Sequence, residues 1–447
     1  MQFTTQASGR FVGMDIHKHV TVVCIIDDTG QVLRRHRCGC SRSDLEQLGR
    51  RYLQATDKVV LEATTNTWQV VAVLKPFVAE VVVSNPLKTK AIAEAKIKTD
   101  KVDALVLAQL LRCDFLPRVW EPPVETQQLR RQTARRAALV ADATAIKNRI
   151  HAVFHQRLIK SPVRDLFCKQ GRQWLTEVEL DEEGRTAIDS DLRLLGYLEA
   201  ELAEQENQLV AQAYADEQVK LLMTLPGVST TVAQTLLAAL GDVTRFRDGA
   251  HAASYLGLVP RTHQSASRCY QGPITKQGHR QARSLLVQAA HQVAKHPGPL
   301  GAFLRRLAKR RGYNVAVVAT ARKLVVIAWQ MLKANEPYRY ARPQTVETKL
   351  ERLRVKATGE KRKRGYATGT PRAATYGSGQ RLQRVRSLPQ VCDRVALPRP
   401  LAVDQLPAGE VRMLEQTETF TFVQEIQQEK LKVQPAKKKE GSNRTNG

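Results

Sequence analysis

The order of the secondary-structure signals in the first 115 residues constrains the fold more than any other feature of this chain. Three runs, FVGMDIH, VTVVCII and QVLRRHRC, follow one another between Phe11 and Cys38 with short turns between them. Their composition predicts strands, and the short connections predict antiparallel hairpins. A helix (SDLEQLGRRYLQA), strand KVVLEAT, a second helix (NTWQVVAVLKPF), strand EVVVSNP and a last helix come next. The sequence therefore predicts a mixed five-stranded sheet with helices on its faces.

This element order is that of the ribonuclease-H-like α/β fold, which we expect over residues 10–115. Residues 116–215 are rich in Gln, Arg, Ala, Leu and Glu, with apolar residues three and four positions apart. The spacing predicts long amphipathic helices, as a helical hairpin or a coiled coil. Such an arm either only packs in a bundle, or serves for dimerisation or for lying on nucleic acid.

The second half of the chain predicts two further regions. Residues 216–340 predict a mainly α-helical domain, with a Pro-Gly turn between two helices in LLMTLPGVSTTVAQTLLAALGD. Such a turn aims backbone N–H groups at phosphates, although many ordinary helix–turn–helix connections look the same. Residues 341–447 contain KRKRG and end in KKKEGSNRTNG, which predicts a basic, largely disordered tail.

The charge balance points to a polyanionic partner. The 447 residues include 70 Lys and Arg against 43 Asp and Glu, for a net charge of +27, and nucleic acid is the commonest partner of so basic a protein. Aromatic residues make up 5%, which disfavours a surface built mainly on stacking single-stranded bases. The seven cysteines form no CxxC pair and predict reduced thiols. Because Arg322 and Lys323 interrupt the longest apolar run, we expect a buried helix, no membrane span and a cytoplasmic, nucleoid-associated protein.

Four carboxylates form the candidate catalytic set. Asp15 lies within the first predicted strand, Glu62 ends the fourth, and Asp100 and Asp103 open the last helix on one face. Each has an ordinary explanation: a hydrogen-bonded buried acid for Asp15, a helix cap for Glu62, and first-turn acids behind an N-cap at Thr99 or Asp100 for the pair. In a sheet with the first and fourth strands adjacent, all four meet in one cleft. Carboxylates that close require strong positive charge, which two Mg²⁺ ions supply.

Several motifs resemble those of one transposase family. GMDIHK, VVLEATTNTW and KTDKVDALVLAQLL resemble the three acidic motifs of the insertion sequence 110 family. TLPGVSTTVAQTLLAALGDVTRF, AASYLGLVPRTHQSASR and GPITKQGHRQARSLLVQAA resemble its C-terminal transposase domain, in the same order. The likeness covers roughly residues 10–335. It implies a RuvC-like D–E–D–D domain at the N-terminus and a nucleophilic serine in the C-terminal domain.

The family pattern assigns the serine to the stretch GLVPRTHQSASRCYQGPITK. Ser265 takes its place, although Ala266 stands where the family usually has glycine, and Ser267 is the alternative. A serine hydroxyl needs help from a base or a metal to act as a nucleophile. Cations near it would neutralise a phosphate during transfer, and we assign nucleic-acid binding to Arg261, Arg268, Lys276, Arg280 and Arg283.

These features predict a DNA transposase or recombinase that cuts and exchanges strands with Mg²⁺ through a serine-linked DNA intermediate. The resemblance further implies a homo-oligomer, a dimer or tetramer, and guidance by a structured RNA. Two alternatives stay open: a RuvC-like, metal-dependent junction nuclease that uses water, and a non-catalytic nucleic-acid-binding scaffold.

Overall fold

The computed structural model describes residues 9–92, 99–265, 268–360 and 381–434. The chain divides into two compact units, Met1–Pro123 and Val124–Gly447. The first unit holds the predicted α/β domain. The finer boundaries at 215 and 340, which split the second unit into an arm, a transposase domain and a tail, stay predictions.

The first unit is a mixed α/β domain built around one sheet. Its strands are β1 (Phe11–Ile16), β2 (Val20–Ile26), β3 (Val32–Gly39), β4 (Lys58–Glu62) and β5 (Glu80–Ser84). Its α-helices are α1 (Arg42–Tyr52), α2 (Thr67–Leu74), α3 (Pro86–Ile92) and α4 (Asp100–Arg112). The strand order is β3-β2-β1-β4-β5, with β1–β2 and β2–β3 antiparallel and β1–β4 and β4–β5 parallel. The predicted mixed sheet, with its first and fourth strands adjacent, is confirmed.

The two faces of this sheet are covered by different helices. Val12, Met14 and Leu61 point to one face, where they form a core with residues of α1 and α2. On the other face α4 packs directly on β1 and β2, with Ala104 and Ala108 fully buried. Gly13 makes this approach possible, because a Cβ there would lie 1.9 Å from the carbonyl oxygen of Ala104. Helix α4 is therefore seated against the strand that carries Asp15.

The second unit is mainly helical. Its α-helices are α5 (Val124–Gln156), α6 (Lys169–Glu177), α7 (Glu182–Ala215), α8 (Glu217–Leu222), α9 (Thr230–Leu240), α10 (Gly249–Tyr255), α11 (Arg280–Val293), α12 (Pro299–Arg311), α13 (Tyr313–Ala334), α14 (Pro343–Thr358), α15 (Leu388–Arg394), α16 (Ala408–Gln416) and α17 (Phe420–Gln427). Two two-stranded antiparallel sheets accompany them: the hairpin of β6 (Pro260–Ser265) with β7 (Arg268–Ile274), and the pair of β8 (Arg381–Val385) with β9 (Lys430–Gln434).

Helices α5 and α7 form the predicted long helical pair. Arg136 pairs with Glu206, Arg149 with Asp191 and Arg157 with Asp181. The partners run in opposite sequence directions, so the two helices are antiparallel. They enclose a core that includes Ile150, Ile188 and Leu195. The helical hairpin is confirmed, whereas the coiled coil stays a prediction.

Helix α13 contains the longest apolar run of the sequence. By length and composition it is the one helix among the described residues that would span a membrane, but 50% of its apolar window is buried inside the fold. Ala321, Leu324, Val325 and Ala328 are fully buried in the main core of the second unit. The helix therefore packs as the predicted core helix.

The expectation of a largely disordered tail is wrong for residues 343–358 and 388–427. Helix α14 buries Val346, Leu350 and Leu353, and α15 to α17 add further apolar residues to the same core. Their amphipathic faces are short and were hidden by the basic clusters between and after them, because net composition averages over segments that differ in pattern. Those clusters, at 361–364 and 437–439, lie outside the described residues.

Candidate active site

Asp15 lies on the α4 face of the sheet, near the carboxyl end of β1. Side chains alternate along a strand, so Asp15 shares the face of Gly13, opposite Met14. Its side chain is 20% exposed. An apolar strand places this carboxylate at the rim of a core, where desolvation is costly without a partner.

Asp100 and Asp103 are brought to the same place by α4. They lie in its first turn, and the apolar stripes that continue from them are buried. Asp100 lies on the same helix face as Ala104 and Ala108, which pack over β1 and β2. Asp103 lies on the same face as Leu107, which packs with Val60 of β4. Since residues four apart lie on one helix face, Asp100 stands over β1 and Asp103 stands towards β4.

His17 links two of these acids. Its Nε2 atom lies 3.2 Å from Oδ2 of Asp15 and 3.4 Å from Oδ1 of Asp100. Ligand atoms of Asp15, His17 and Asp100 all lie within 4.8 Å of one another, close enough to hold a metal ion. Asp15 and Asp100 thus share a site although four strands and three α-helices lie between them in sequence.

Glu62 occupies the adjoining strand end. The parallel register pairs Met14 with Leu61, so the next residues along β1 and β4 are Asp15 and Glu62. Glu62 also shares the α4 face with Val60, by alternation along β4. The carboxyl ends of two neighbouring strands therefore present one acid each beneath the first turn of α4.

The electrostatics of the cluster match this crowding. Burial raises the pKa of Asp15, the imidazole of His17 opposes that effect, and the carboxylates of Asp100 and Asp103 raise the pKa further. Asp103 is thus close enough to Asp15 to repel it. A bound cation would relieve the repulsion among these acids.

Helix capping alone does not account for the acids. Thr99 occupies the N-cap position of α4, but its side chain makes no capping hydrogen bond. The N-cap residue of α2 is Asn66, whereas Glu62 is the last residue of β4 and therefore does not cap that helix. The favourable interaction of Asp100 and Asp103 with the positive end of α4 remains, but it does not explain why Asp15 lies beside them.

Ser265 lies at the tip of a different structure, the β6–β7 hairpin. It is exposed, ends β6 and pairs with Arg268 across the hairpin. Cross-strand partners and alternate residues share a face, so Ser265, Arg268 and Tyr270 lie on one side. Tyr270 is 68% exposed. Ala266 and the alternative nucleophile Ser267 lie outside the described residues.

Comparison with known proteins identifies both regions. A family model described as "Transposase" matches residues 12–158, and one described as "Transposase IS116/IS110/IS902 family" matches residues 219–304. The chain is 26% identical over 347 residues to the transposase for insertion sequence element IS1111A of Coxiella burnetii, spanning 74% of this chain and 91% of that protein.

The chain belongs to the insertion sequence 110 family of transposases.

Two further relatives support the assignment. The pilin gene-inverting protein of Moraxella bovis is 26% identical over 343 residues, which span 74% of this transposase and 98% of the relative. A probable family 20 transposase of Pseudomonas aeruginosa is 34% identical over 146 residues, or 32% of this chain and 43% of that one. The resemblance seen in the acidic motifs and in the C-terminal motifs is thereby confirmed.

The five basic residues that the sequence assigned to nucleic-acid binding differ in environment. Arg261, Arg268, Lys276 and Arg280 are exposed. Arg283 is half-buried, and its Nη1 atom donates to the backbone carbonyl oxygens of Leu256 (3.0 Å) and Gln277 (3.2 Å). Burial, together with the charge of Arg280, lowers the pKa of Arg283. Arg283 therefore ties the two ends of the hairpin segment together.

Two glycines hold the base of the same hairpin. Gly257 and Gly278 have φ values of +70° and +82°. A Cβ would lie 2.1 Å from the Gln277 carbonyl oxygen at the first position and 2.0 Å from that of Tyr255 at the second. Both the backbone conformation and the space exclude a side chain at either place.

Neither His17 nor the structural role of Arg283 was predicted from the sequence, and nucleic-acid binding by Arg283 stays a prediction. For His17 a signal was present, because it follows β1 directly and lies two positions after Asp15, a spacing that puts both residues on one face while the chain stays extended. No local signal separates Arg283 from Arg280, since only the fold brings the carbonyl groups of Leu256 and Gln277 to one guanidinium.

Proposed function

We propose that this transposase cuts and exchanges DNA strands through the acidic cluster of the first unit and Ser265 of the second. The observation that carries the proposal is the meeting of Asp15 and Asp100 on the Nε2 atom of His17. Such a gathering of acids from separate elements costs stability unless it serves a cation. Relatives named for transposition and for pilin gene inversion agree with strand exchange.

The residues of the cluster fit a divalent ion. Asp15, Glu62, Asp100 and Asp103 offer the hard oxygen donors that Mg²⁺ prefers, and we propose two such ions as the cofactor. When bound, they would activate a nucleophile and stabilise a leaving oxygen. The chain's own part is to hold these carboxylates in place. Beta-strands β1 and β4 and the first turn of α4 do this without relying on a flexible loop.

Ser265 supplies the covalent step of the proposal. Its Oγ attacks a DNA phosphorus, so an O–P bond forms and the bond from phosphorus to a deoxyribose oxygen breaks. The serine proton is lost, and the leaving oxygen takes up a proton to become a hydroxyl. Arg268, its cross-strand neighbour, would neutralise charge on the phosphate. Attack by a second DNA hydroxyl on the phosphoserine reverses the chemistry, so strand exchange needs no ATP.

The decisive test is a covalent protein–DNA adduct. Wild-type protein is incubated with a plasmid carrying its gene and native flanks, with Mg²⁺, and adducts are isolated in denaturant and mapped by mass spectrometry. We expect phosphorylation at Ser265, loss of the adduct in Ser265→Ala, and retention in Ser254→Ala, an exposed serine of the same unit. If the modification is instead found on Ser267, the nucleophile is Ser267 and not Ser265.

Two alternatives give different results in the same assay. A junction nuclease that uses water would cut DNA equally well as Ser265→Ala and leave no adduct. A non-catalytic scaffold would bind DNA without Mg²⁺-dependent cutting in any variant. The converging acids favour an enzyme over the scaffold, because a binding surface gains nothing from carboxylates that repel a phosphate backbone.

The partners of the proposal are DNA, a structured guide RNA and further copies of this chain. The net charge of +27 suits a nucleoprotein complex. Leu194 (49% exposed) and Tyr197 (67% exposed) lie three residues apart on α7 and offer an apolar contact between arms. Light scattering of a Leu194→Lys, Tyr197→Lys variant tests the oligomer, and sequencing of co-purified RNA tests the guide.

A further inference from the structure

A cavity in the second unit lies outside the acid cluster and the serine hairpin. It has a volume of about 310 Å³ and is bounded by α12, α13, α16 and the segment 336–340. Its lining is mixed, and the apolar part includes Leu300, Phe303, Ile327, Met331 and Met413. This size and lining fall in the range of sites for small organic groups.

The two acidic side chains that line the cavity are paired within its wall. Arg339 contacts Glu336 at 2.6 Å and Glu410 at 2.7 Å, and the hydroxyl of Tyr340 donates to the second oxygen of Glu410. These groups are satisfied by one another. Two carboxylates and one guanidinium carry a net charge of −1, which the two cations Arg306 and Lys323 of the same lining outweigh.

The lining also carries positive charge. Arg306 and Lys323 line the cavity, and Arg322 lies close enough to join them. Desolvation lowers the pKa of Lys323, and the charges of Arg306 and Arg322 lower it further. Among the described residues none of the three has a carboxylate oxygen within 4.0 Å. Like charges gathered without counter-ions favour an anionic ligand.

The cations continue along the outer face of α12. Arg305, Arg306, Lys309 and Arg310 are exposed, and their spacing of one, three and four residues puts them on one side of the helix. The opposite side, with Leu300 and Leu304, is buried. Because Arg306 belongs both to this face and to the cavity lining, a polyanion lying on the face would bring one of its phosphates next to the cavity.

We propose that the cavity accepts one unstacked base of a nucleic-acid strand whose phosphates lie along α12. Arg306 and Lys323 hold the phosphate next to that base, the apolar walls cover its ring, and the amide of Gln330, which also lines the cavity, faces its polar edge. The inference rests on the proposed function for the presence of nucleic acid. An extruded base costs unstacking energy, which burial in a fitting site offsets.

The test compares oligonucleotides with and without bases. Affinities for a short single-stranded oligonucleotide and for its abasic counterpart with the same phosphates are measured in parallel, in DNA and RNA versions. We expect wild-type protein to bind the base-containing strand at least tenfold more tightly, in line with stacking energies. The DNA and RNA series show which strand the cavity prefers.

Two variants close the cavity and two change charge. Ile327→Trp fills it from within, and Gln330→Trp blocks it from an exposed position should the first variant fold poorly. Both are expected to reduce the base-dependent ratio at least threefold. Lys323→Gln should lower the affinity for the base-containing strand and for the abasic strand by the same factor. Lys333→Gln is the matched control, because Lys333 lies on the same helix over Trp329, much as Lys323 lies over Phe303, but does not line the cavity.

The proposal fails if both tryptophan variants keep the wild-type ratio, which would mean that α12 binds phosphates alone. Cross-linking with an iodo-substituted base gives a second readout, expected at Phe303 or Met413 and lost on closing the cavity. Neither measurement uses strand cleavage. A negative result for the Ser265 adduct would therefore overturn the proposed chemistry and leave this binding test intact.

Discussion

The acid cluster and the serine hairpin are built in opposite ways. The acids stand on buried structure: Met14, Leu61, Ala104 and Ala108 around them have no solvent exposure. Ser265 stands at the end of an exposed two-stranded hairpin, tied down at its base by Gly257, Gly278 and Arg283. The proposed cation site would demand fixed ligand geometry, whereas the proposed nucleophile would tolerate a projecting support because it has to reach different DNA strands. The sensitivity of the two sites to mutation should therefore differ.

The largest expected effect is on cleavage after Asp15→Asn. Loss of a carboxylate that holds the proposed ions should reduce Mg²⁺-dependent cutting about a thousandfold, since such ions supply several kcal/mol of transition-state stabilisation. The fold should be unharmed, because the neutral amide removes repulsion by Asp100 and Asp103. Cleavage rates with Mg²⁺ check the first point, and thermal melts without Mg²⁺ check the second. Asp28→Asn, at an exposed acid of the same unit, is the control and should change neither.

Gly13→Ala tests whether the acid cluster depends on the close packing of α4 against β1. Its Cβ would lie 1.9 Å from the Ala104 carbonyl oxygen, so α4 must shift and carry Asp100 and Asp103 with it. We expect about 1–3 kcal/mol of destabilisation and about a hundredfold loss of cleavage. Gly272→Ala in the hairpin is the counterpart, since no atom lies closer than 3.8 Å to its new Cβ. Equal losses of stability and cleavage in both variants would show that the two sites do not differ in their tolerance of mutation.

Arg283→Ala and Arg280→Ala separate support from binding within the hairpin region. Removing the Arg283 guanidinium leaves the carbonyls of Leu256 and Gln277 without their donor and should cost about 1–3 kcal/mol of unfolding free energy. Removing the exposed Arg280 should leave stability unchanged. It should weaken DNA binding at low salt and reduce the salt dependence by about one counter-ion. Denaturant titrations and salt-dependent affinities measure the two effects.

The smallest effect concerns pH and the core of the second unit. His296 is 7% exposed, and burial with nearby Arg342, Lys349 and Arg305 lowers its pKa to about 4. The unfolded chain binds the proton first as pH falls from about 6.5, so folding stability is lost across that window. Between pH 7 and 5.5 the loss should be about 1 kcal/mol. Denaturant unfolding at both values, with His296→Gln as the variant that lacks the drop, tests this.

Much of the acid site was predictable from the sequence because its parts are local. Asp15 and Glu62 are marked by the apolar strands around them, and Asp100 and Asp103 by the helix they begin. The adjacency of β1 and β4 follows from the element order, and the structure has it. His17 and the role of Arg283 were not found, because each depends on which groups the completed fold brings within hydrogen-bonding distance.

Taken by itself, the sequence determined the mixed sheet, the long helices of the arm, the basic character and the family, since periodicity, composition and motif order are properties of the chain alone. Tertiary structure decided the rest. It bridged Asp15 to Asp100 through His17, turned Arg283 into a support for the hairpin, and packed α14 to α17 into the core where composition predicted disorder. The physical reason is that burial and hydrogen bonding join residues distant in sequence, and no local pattern records which ones will meet.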